Sequence, residues 1–176
     1  MEHKNKIDFI KHYEPIHNQL YKYCRAITGN TEDAEDLIQD TILIVFDGLE
    51  KIKDLNLFKS YIFSVASNQH KMKQRRNKFK ASFNEEEINR IVDFGQNQEH
   101  YVEFKMIYEK ILSLPAKTSE TLILYHISDL SVEDIQKIQG GSLSAVRSRI
   151  KRGREKVLSL LKTKEQVSIA MMFLSF

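Results

Sequence analysis

Residues 140–154, Gly140-Gly141-Ser142-Leu143-Ser144-Ala145-Val146-Arg147-Ser148-Arg149-Ile150-Lys151-Arg152-Gly153-Arg154, decide the architecture of this chain. The paired glycines permit the positive φ of a sharp turn, and Ser142 follows as a helix N-cap. Beyond it Leu143, Val146, Ile150, Gly153 and Val157 fall on one helical face, and Ser144, Arg147, Ser148, Lys151 and Arg152 on the other. Just upstream, Ser131 is a second N-cap, with Glu133 and Asp134 in the first turn and Ile135 and Ile138 turned inward. A capped helix, a short glycine turn and a basic helix make the helix-turn-helix pattern. Its outer face suits a major groove. Arginine pairs with guanine edges, serine reaches bases or phosphates, and the flanking Arg149 and Arg154 can grip the DNA backbone.

Working back from that motif, a helix over 101–113 closes at Ser113-Leu114-Pro115, where proline suits the first turn of the next helix. Leu122, Ile123, Tyr125, His126 and Ile127 carry the apolar pattern to Asp129-Leu130. Residues 79–98 lose periodicity and hold much of the acidic charge, so the boundary between two modules falls there. In the first module Leu20, Tyr23, Cys24 and Ile27 recur at helical spacing until Thr28-Gly29-Asn30 ends the helix. Asn30 or Thr31 caps the next, whose inner face is Ala34, Leu37, Ile38, Thr41, Ile42 and Val45. A looser stretch, Lys53–Lys59, leads to a third helix from about Ser60 to Lys78, with Tyr61, Ile62, Val65 and Ala66 inward and a basic end.

The predicted fold is all-α. It has two small helical domains joined by a flexible linker, the C-terminal one a helix-turn-helix. The expected divisions are 1–80, a linker at 81–100, 101–165, and an apolar tail at 166–176. Two prolines, six glycines and no tryptophan in 176 residues agree with helices rather than a turn-rich β architecture. The net charge of +3 is mild, but its distribution is blocked. An acidic N-terminal third gives way to Lys71, Lys73, Arg75, Arg76, Lys78 and Lys80, then to Glu85-Glu86-Glu87, then to the basic helix after Arg147. Two separated basic patches fit a polyanion held at two places.

Asp33-Ala34-Glu35-Asp36-Leu37-Ile38-Gln39-Asp40 lays an acidic turn over an apolar face. It reads either as a dipole-stabilised helix start or as a docking face, with Leu37-Ile38 an apolar centre shared with a partner helix. At the basic end of the third helix, Tyr61, Phe63, Asn68, Gln69, His70, Lys73, Arg75 and Arg76 mix rings, amides and cations. Single-stranded nucleic acid asks for such a mixture. The histidines His12, His17, His70, His100 and His126 lack metal-ligand spacing, and neither a phosphate-binding glycine loop nor a nucleophile constellation is present. The expectation is a protein that is not an enzyme, with no catalytic or metal-binding residues and no cofactor. Cys24 is alone, which fits a reducing cytoplasm. The N-terminus lacks a signal peptide's apolar run, and the tail is too short to span a bilayer, so no membrane insertion is expected.

These motifs resemble the extracytoplasmic-function (ECF) sigma factors, the small two-domain members of the sigma-70 family. Residues 33–41 are similar to that family's D-A-E-D-L-V-Q-[DE]-[TV], and Tyr61–Asn68 to W-L-x-x-I-A-x-N with Arg75-Arg76 as the downstream basic pair. Leu114-Pro115 and Val146–Arg154 resemble L-P and T-V-K-S-R-L-x-R-A-R. The resemblance covers roughly Leu20–Lys78 and Leu112–Leu161. It implies a protein that binds core RNA polymerase (β and β′ subunits) through Glu35, Asp36, Gln39 and Asp40. Asn56, Phe58, Tyr61, Asn68, Lys71, Arg75 and Arg76 would meet the −10 promoter strand, single-stranded, with the Lys53–Lys59 loop capturing a flipped base. Ser144, Ala145, Arg147, Ser148, Lys151 and Arg152 would read the −35 element as duplex DNA. The family also implies an anti-sigma partner, which could mask the tail if the tail does not dock on its own domain. Departures from the pattern include Tyr61 for tryptophan, Ser119 for an arginine, Gln136 for a small alanine, Ala145 for threonine, and a double glycine that predicts a loose turn. The competing reading is a helix-turn-helix regulator that binds duplex DNA without polymerase.

Overall fold

The computed structural model describes residues 9–52, 54–76 and 98–174, and every regular element among them is helical. Lys53, Lys78, Lys80, Glu85-Glu86-Glu87 and nearly all of the expected linker lie outside the described residues. A helical segment over 9–13 and a 3₁₀ turn (Glu14–Ile16) lead into α1 (His17–Thr28). Gly29, at φ 79°, ends α1 in the left-handed conformation, and its N–H bonds the Arg25 carbonyl at 3.0 Å. Asn30 then caps α2 (Thr31–Asp47), its Oδ1 accepting from the Asp33 N–H at 2.7 Å. A 3₁₀ turn (Leu55–Leu57), capped by Asp54 on the Asn56 N–H, opens α3 (Phe58–Arg76). These three helices close on Leu20, Tyr23, Leu37, Phe58, Ile62 and Phe63, all buried.

The second module is α4 (Gln98–Leu112), α5 (Ala116–Leu122), α6 (Val132–Gln139), α7 (Leu143–Ser159) and α8 (Lys164–Leu174). Pro115 is the N-cap residue of α5, one place earlier than the first helical turn expected for it. The apolar run after Leu122 is a π-helical turn (Ile123–Ile127) ending at Ser128, followed by Asp129 with φ 53°. Helical periodicity does not foretell that widening. Ser131 and Ser142 cap α6 and α7, accepting from the Asp134 and Ala145 N–H groups. At Gly153, α5 crosses α7 so closely that a Cβ would lie 3.0 Å from Thr118 Cγ2 and 3.1 Å from Leu122 Cδ1.

Several expectations are corrected here. Leu37 and Ile38 are buried in the first module's own core and offer nothing to a partner helix. Tyr61 faces outward rather than inward, and Leu143 is partly exposed at the edge of its face. The glycine turn is not loose: Gly140 N–H bonds the Gln136 carbonyl, and Gln136 Nε2 donates to the Gly141 carbonyl, both at 2.8 Å. The glutamine that departs from the family pattern therefore ties the turn that the second glycine frees. The tail, expected to dock on its own domain or on a partner, is a helix on its own domain. In α8, Ala170 and Leu174 are buried and the Phe173 ring lies 5.2 Å from Phe104 of α4.

Candidate nucleic-acid and protein interfaces

On α2, burial of Ala34, Leu37, Ile38, Thr41 and Val45 turns Glu35, Asp36 and Gln39 to solvent. Asp40 is half-buried and pairs with Lys73 of α3 at 2.9 Å, so it links two helices as well as lining this face. Leu43 and Ile44, one turn beyond, are exposed, Leu43 at 62%. They supply the apolar patch that had been placed at Leu37-Ile38. The signal was available, because two aliphatics immediately after the inward set cannot both reach the core. An acidic turn with an apolar flank has the composition of a protein-docking surface.

On α3, Asn68, Lys71, Arg75 and Arg76 are exposed along the basic end, and Tyr61 stands at its start. Asn56 is exposed in the 3₁₀ turn, between Leu55 and Leu57, themselves partly exposed. Phe58, expected on this surface, is 1% exposed and packs edge-on against Phe9 with centroids 5.7 Å apart. In this conformation its ring belongs to the core and cannot stack on a base. The loop's exposed apolar groups are Leu55 and Leu57.

On α7, Ser144, Arg147, Ser148, Lys151 and Arg152 are all exposed, while Val146, Ile150, Gly153 and Val157 are buried; Ala145 is half-buried near the helix start. Arg147 and Lys151 have carboxylates nearby, Glu133 at 3.8 Å and Glu155 at 4.0 Å, but these contacts are long and solvated. Arg149 and Arg154, expected to grip the DNA backbone, are both engaged within their own module. Arg149 Nη1 donates to Gln139 Oε1 at 2.8 Å, and Arg154 Nε donates to His126 Nε2 at 3.1 Å with its guanidinium 5.5 Å from the Tyr125 ring centroid. Both tie α7 to the helices beneath it. His126 is held neutral, its pKa lowered to about 3 by burial and by the Arg154 charge.

Among the described residues no three His, Cys, Asp or Glu side chains gather as a metal site, and no helix is long and apolar enough to cross a membrane. Burial pushes the Cys24 thiol well above its ordinary range, which makes it unreactive.

The two modules each match a known family. Residues 12–80 fit Sigma-70 region 2, and residues 104–157 fit Sigma-70, region 4. The chain is similar to the RNA polymerase sigma factor YlaC of Bacillus subtilis, 26% identical over 176 residues that cover 96% of this chain and 100% of that one. It is also similar to the ECF RNA polymerase sigma factor EcfG of Rhodopseudomonas palustris, 24% identical, covering 81% and 78%. In fold it resembles the sigma factor RpoE solved with the anti-sigma factor NepR from Bartonella quintana, with a TM-score of 0.68 at 20% identity, over 89% of this chain and 98% of that one. CnrH, solved with the cytosolic domain of CnrY, gives 0.64 at 20% identity, covering 86% of both.

Proposed function

The chain belongs to the sigma-70 family, as an RNA polymerase sigma factor of the ECF type, and we propose which of its surfaces does what. It binds core polymerase, recognises promoter −10 and −35 elements and promotes initiation. Sigma factors of this family act without an enzymatic activity of their own, and we extend that to this chain, acting in the cytoplasm where its polymerase is. The reading assigns polymerase docking to Glu35, Asp36 and Gln39 with Leu43 and Ile44 as apolar flank, and Asp40 beside them. It assigns −10 single-strand contacts to Asn56, Tyr61, Asn68, Lys71, Arg75 and Arg76. It assigns −35 duplex readout to Ser144, Ala145, Arg147, Ser148, Lys151 and Arg152. The exposed aliphatic pair beside the acidic turn carries the reading. A regulator that binds duplex unaided has no use for that surface, and a polymerase subunit does.

Domains are drawn at 1–80 and 101–165, with 81–100 joining them and 166–176 as the tail. An anti-sigma protein is a further proposed partner, because the fold is shared with a sigma factor solved in such a complex. The test is co-elution of the purified protein with bacterial core polymerase, beside Asp36→Arg/Leu43→Asp. Stable co-elution lost in the variant supports the docking face. No co-elution of wild type at micromolar concentration, with duplex DNA bound unaided, returns the protein to the class of free-standing regulators.

A further inference from the structure

The basic helix α7 is tied to its support helix by directional bonds at two points. The first is the turn, where Gly140 and Gly141 take φ of 71° and 91° and Gln136 Nε2 holds the Gly141 carbonyl at 2.8 Å. The second is Arg149, whose Nη1 donates to Gln139 Oε1 at 2.8 Å. Gln139 is the last residue of α6, and Arg149 stands six residues beyond Leu143, about 9 Å along α7 at 1.5 Å per residue. The bond therefore joins the end of one helix to the middle of the other.

Gln139 has no freedom to turn its amide over. Its Nε2 donates to Glu120 Oε2 at 3.1 Å and lies 3.5 Å from the Lys117 carbonyl. Its Oε1, besides accepting from Arg149, lies 2.8 Å from the hydroxyl of Thr121, a fully buried side chain. Glu120, on α5, is a fixed anchor. Its carboxylate also accepts from Tyr23 OH at 2.8 Å, Ser67 Oγ at 2.5 Å and Lys71 Nζ at 3.2 Å. Burial pushes its pKa up, and Ser67, Lys71 and Tyr23 outweigh that, holding it below the ordinary carboxylate value. A guanidinium, an amide and an ionised carboxylate thus form one chain, each bond polarising the next in the same sense.

The outward groups Arg147, Ser148, Lys151 and Arg152 are exposed, whereas Arg149 between them is half-buried and turned to α6. Base edges are read only by side chains held to about 0.5 Å. The apolar face of α7, Val146, Ile150 and Val157, supplies burial, which is non-directional, and a hydrogen bond supplies an angle. We propose that Arg149 is a positioning residue for −35 readout, which through Gln139 fixes the angle at which α7 enters the groove and does not itself hold the DNA; the role rests on the sigma-factor reading and adds to it what aims the helix.

The test uses holoenzyme assembled from the full chain and bacterial core polymerase, on a promoter library randomised across the −35 element. Arg149→Met and Gln139→Met nearly keep side-chain length and lose the bond. Each is expected to lower discrimination roughly tenfold, at several −35 positions together, because a helix that rocks moves all its reading groups. The salt dependence of binding stays at the wild-type value, since no phosphate contact is lost. The double variant relaxes the preference no further than either single one, because both remove the same bond. Gln139→Met decides alone should Arg149→Met fold poorly. Uniform loss on every sequence, with a log–log salt slope lower by about one, makes Arg149 a phosphate contact and overturns the proposal. So does relaxation at a single position, which marks a base contact. An unchanged preference in Gln139→Met overturns it too, even where the variant melts earlier, because lost stability lowers the active fraction and leaves the preference alone. A wild-type holoenzyme with no −35 preference overturns the sigma-factor reading itself.

Discussion

The basic end of α3 and the basic face of α7 present their cations in opposite ways. On α7 Arg147 and Lys151 meet carboxylates only at 3.8 and 4.0 Å, with all four side chains exposed, so DNA displaces little when it arrives. On α3, Lys71 is held by a nearly buried glutamate and Lys73 by Asp40, so a nucleic-acid strand must first break protein contacts. Both patches have the same chemistry, and only the neighbouring element differs. A positively charged helix is a binding site only to the extent that nothing acidic in the same chain already satisfies it.

The largest effect that would break the comparison comes from removing the open surface without touching a DNA-facing group. Gly153→Val drives a branched side chain into Thr118 and Leu122, where α5 and α7 meet. We expect a loss of about 2–3 kcal/mol from the second module. Hydrogen exchange should show α5–α7 opening while α1–α3 stay protected. Equal loss in both modules would mean that they unfold as one body.

Next in size is a direct contrast of cations. Arg147→Ala should weaken binding of the holoenzyme to promoter DNA by about 1–3 kcal/mol and relax one base position of the −35 site. Loss on every sequence alike would mark Arg147 as a phosphate contact. Lys71→Ala should leave that −35 preference unchanged. Its effect should appear only in the holoenzyme, as slower promoter opening followed by permanganate reactivity of the −10 strand. A relaxed −35 preference in Lys71→Ala would show that the basic end of α3 does not act on the −10 strand alone.

The sequence made α7 legible because its face obeys a rule with few exceptions: a glycine turn, a serine cap and a split between aliphatics and cations leave one way to pack. The α2 face was half legible. Its acidic residues were placed correctly on the outside, but the apolar patch was assigned to Leu37-Ile38 when the helical phase buries both and exposes Leu43. Phe58 was misplaced because a loop position was carried over from the family, whereas this chain turns the ring into a cluster with Phe9. The contacts of Arg149 and Arg154 were not legible, because charge alone does not say that Gln139 and His126 lie beneath them. Nothing local could have revealed Glu120. It is one glutamate on a short helix, and its partners Tyr23, Ser67 and Lys71 lie 49 to 97 residues away.

The smallest effect concerns acid, and it separates the modules again. Arg154 donates to His126 Nε2, so the ring must be neutral for that bond to stand, and its Nδ1 is buried without a partner. The folded pKa is depressed to about 3 against an ordinary 6.5, by burial first and the Arg154 charge second. For a depressed histidine the unfolded chain takes up a proton that the folded one refuses. The stabilising contribution is therefore complete above about pH 6.5 and falls progressively between there and pH 3. We expect the second module to lose about 1 kcal/mol by pH 5.5 from this group, and His126→Gln to remove that part of the slope. In the first module His70 is also depressed by burial, but the Glu120 charge pulls its pKa back up, so its share of the slope is smaller. Urea melts at pH 7.5 and 5.5, read module by module through hydrogen exchange, check this. A steeper acid loss in α1–α3 than in α5–α7 would place the acid-sensitive group in the first module instead.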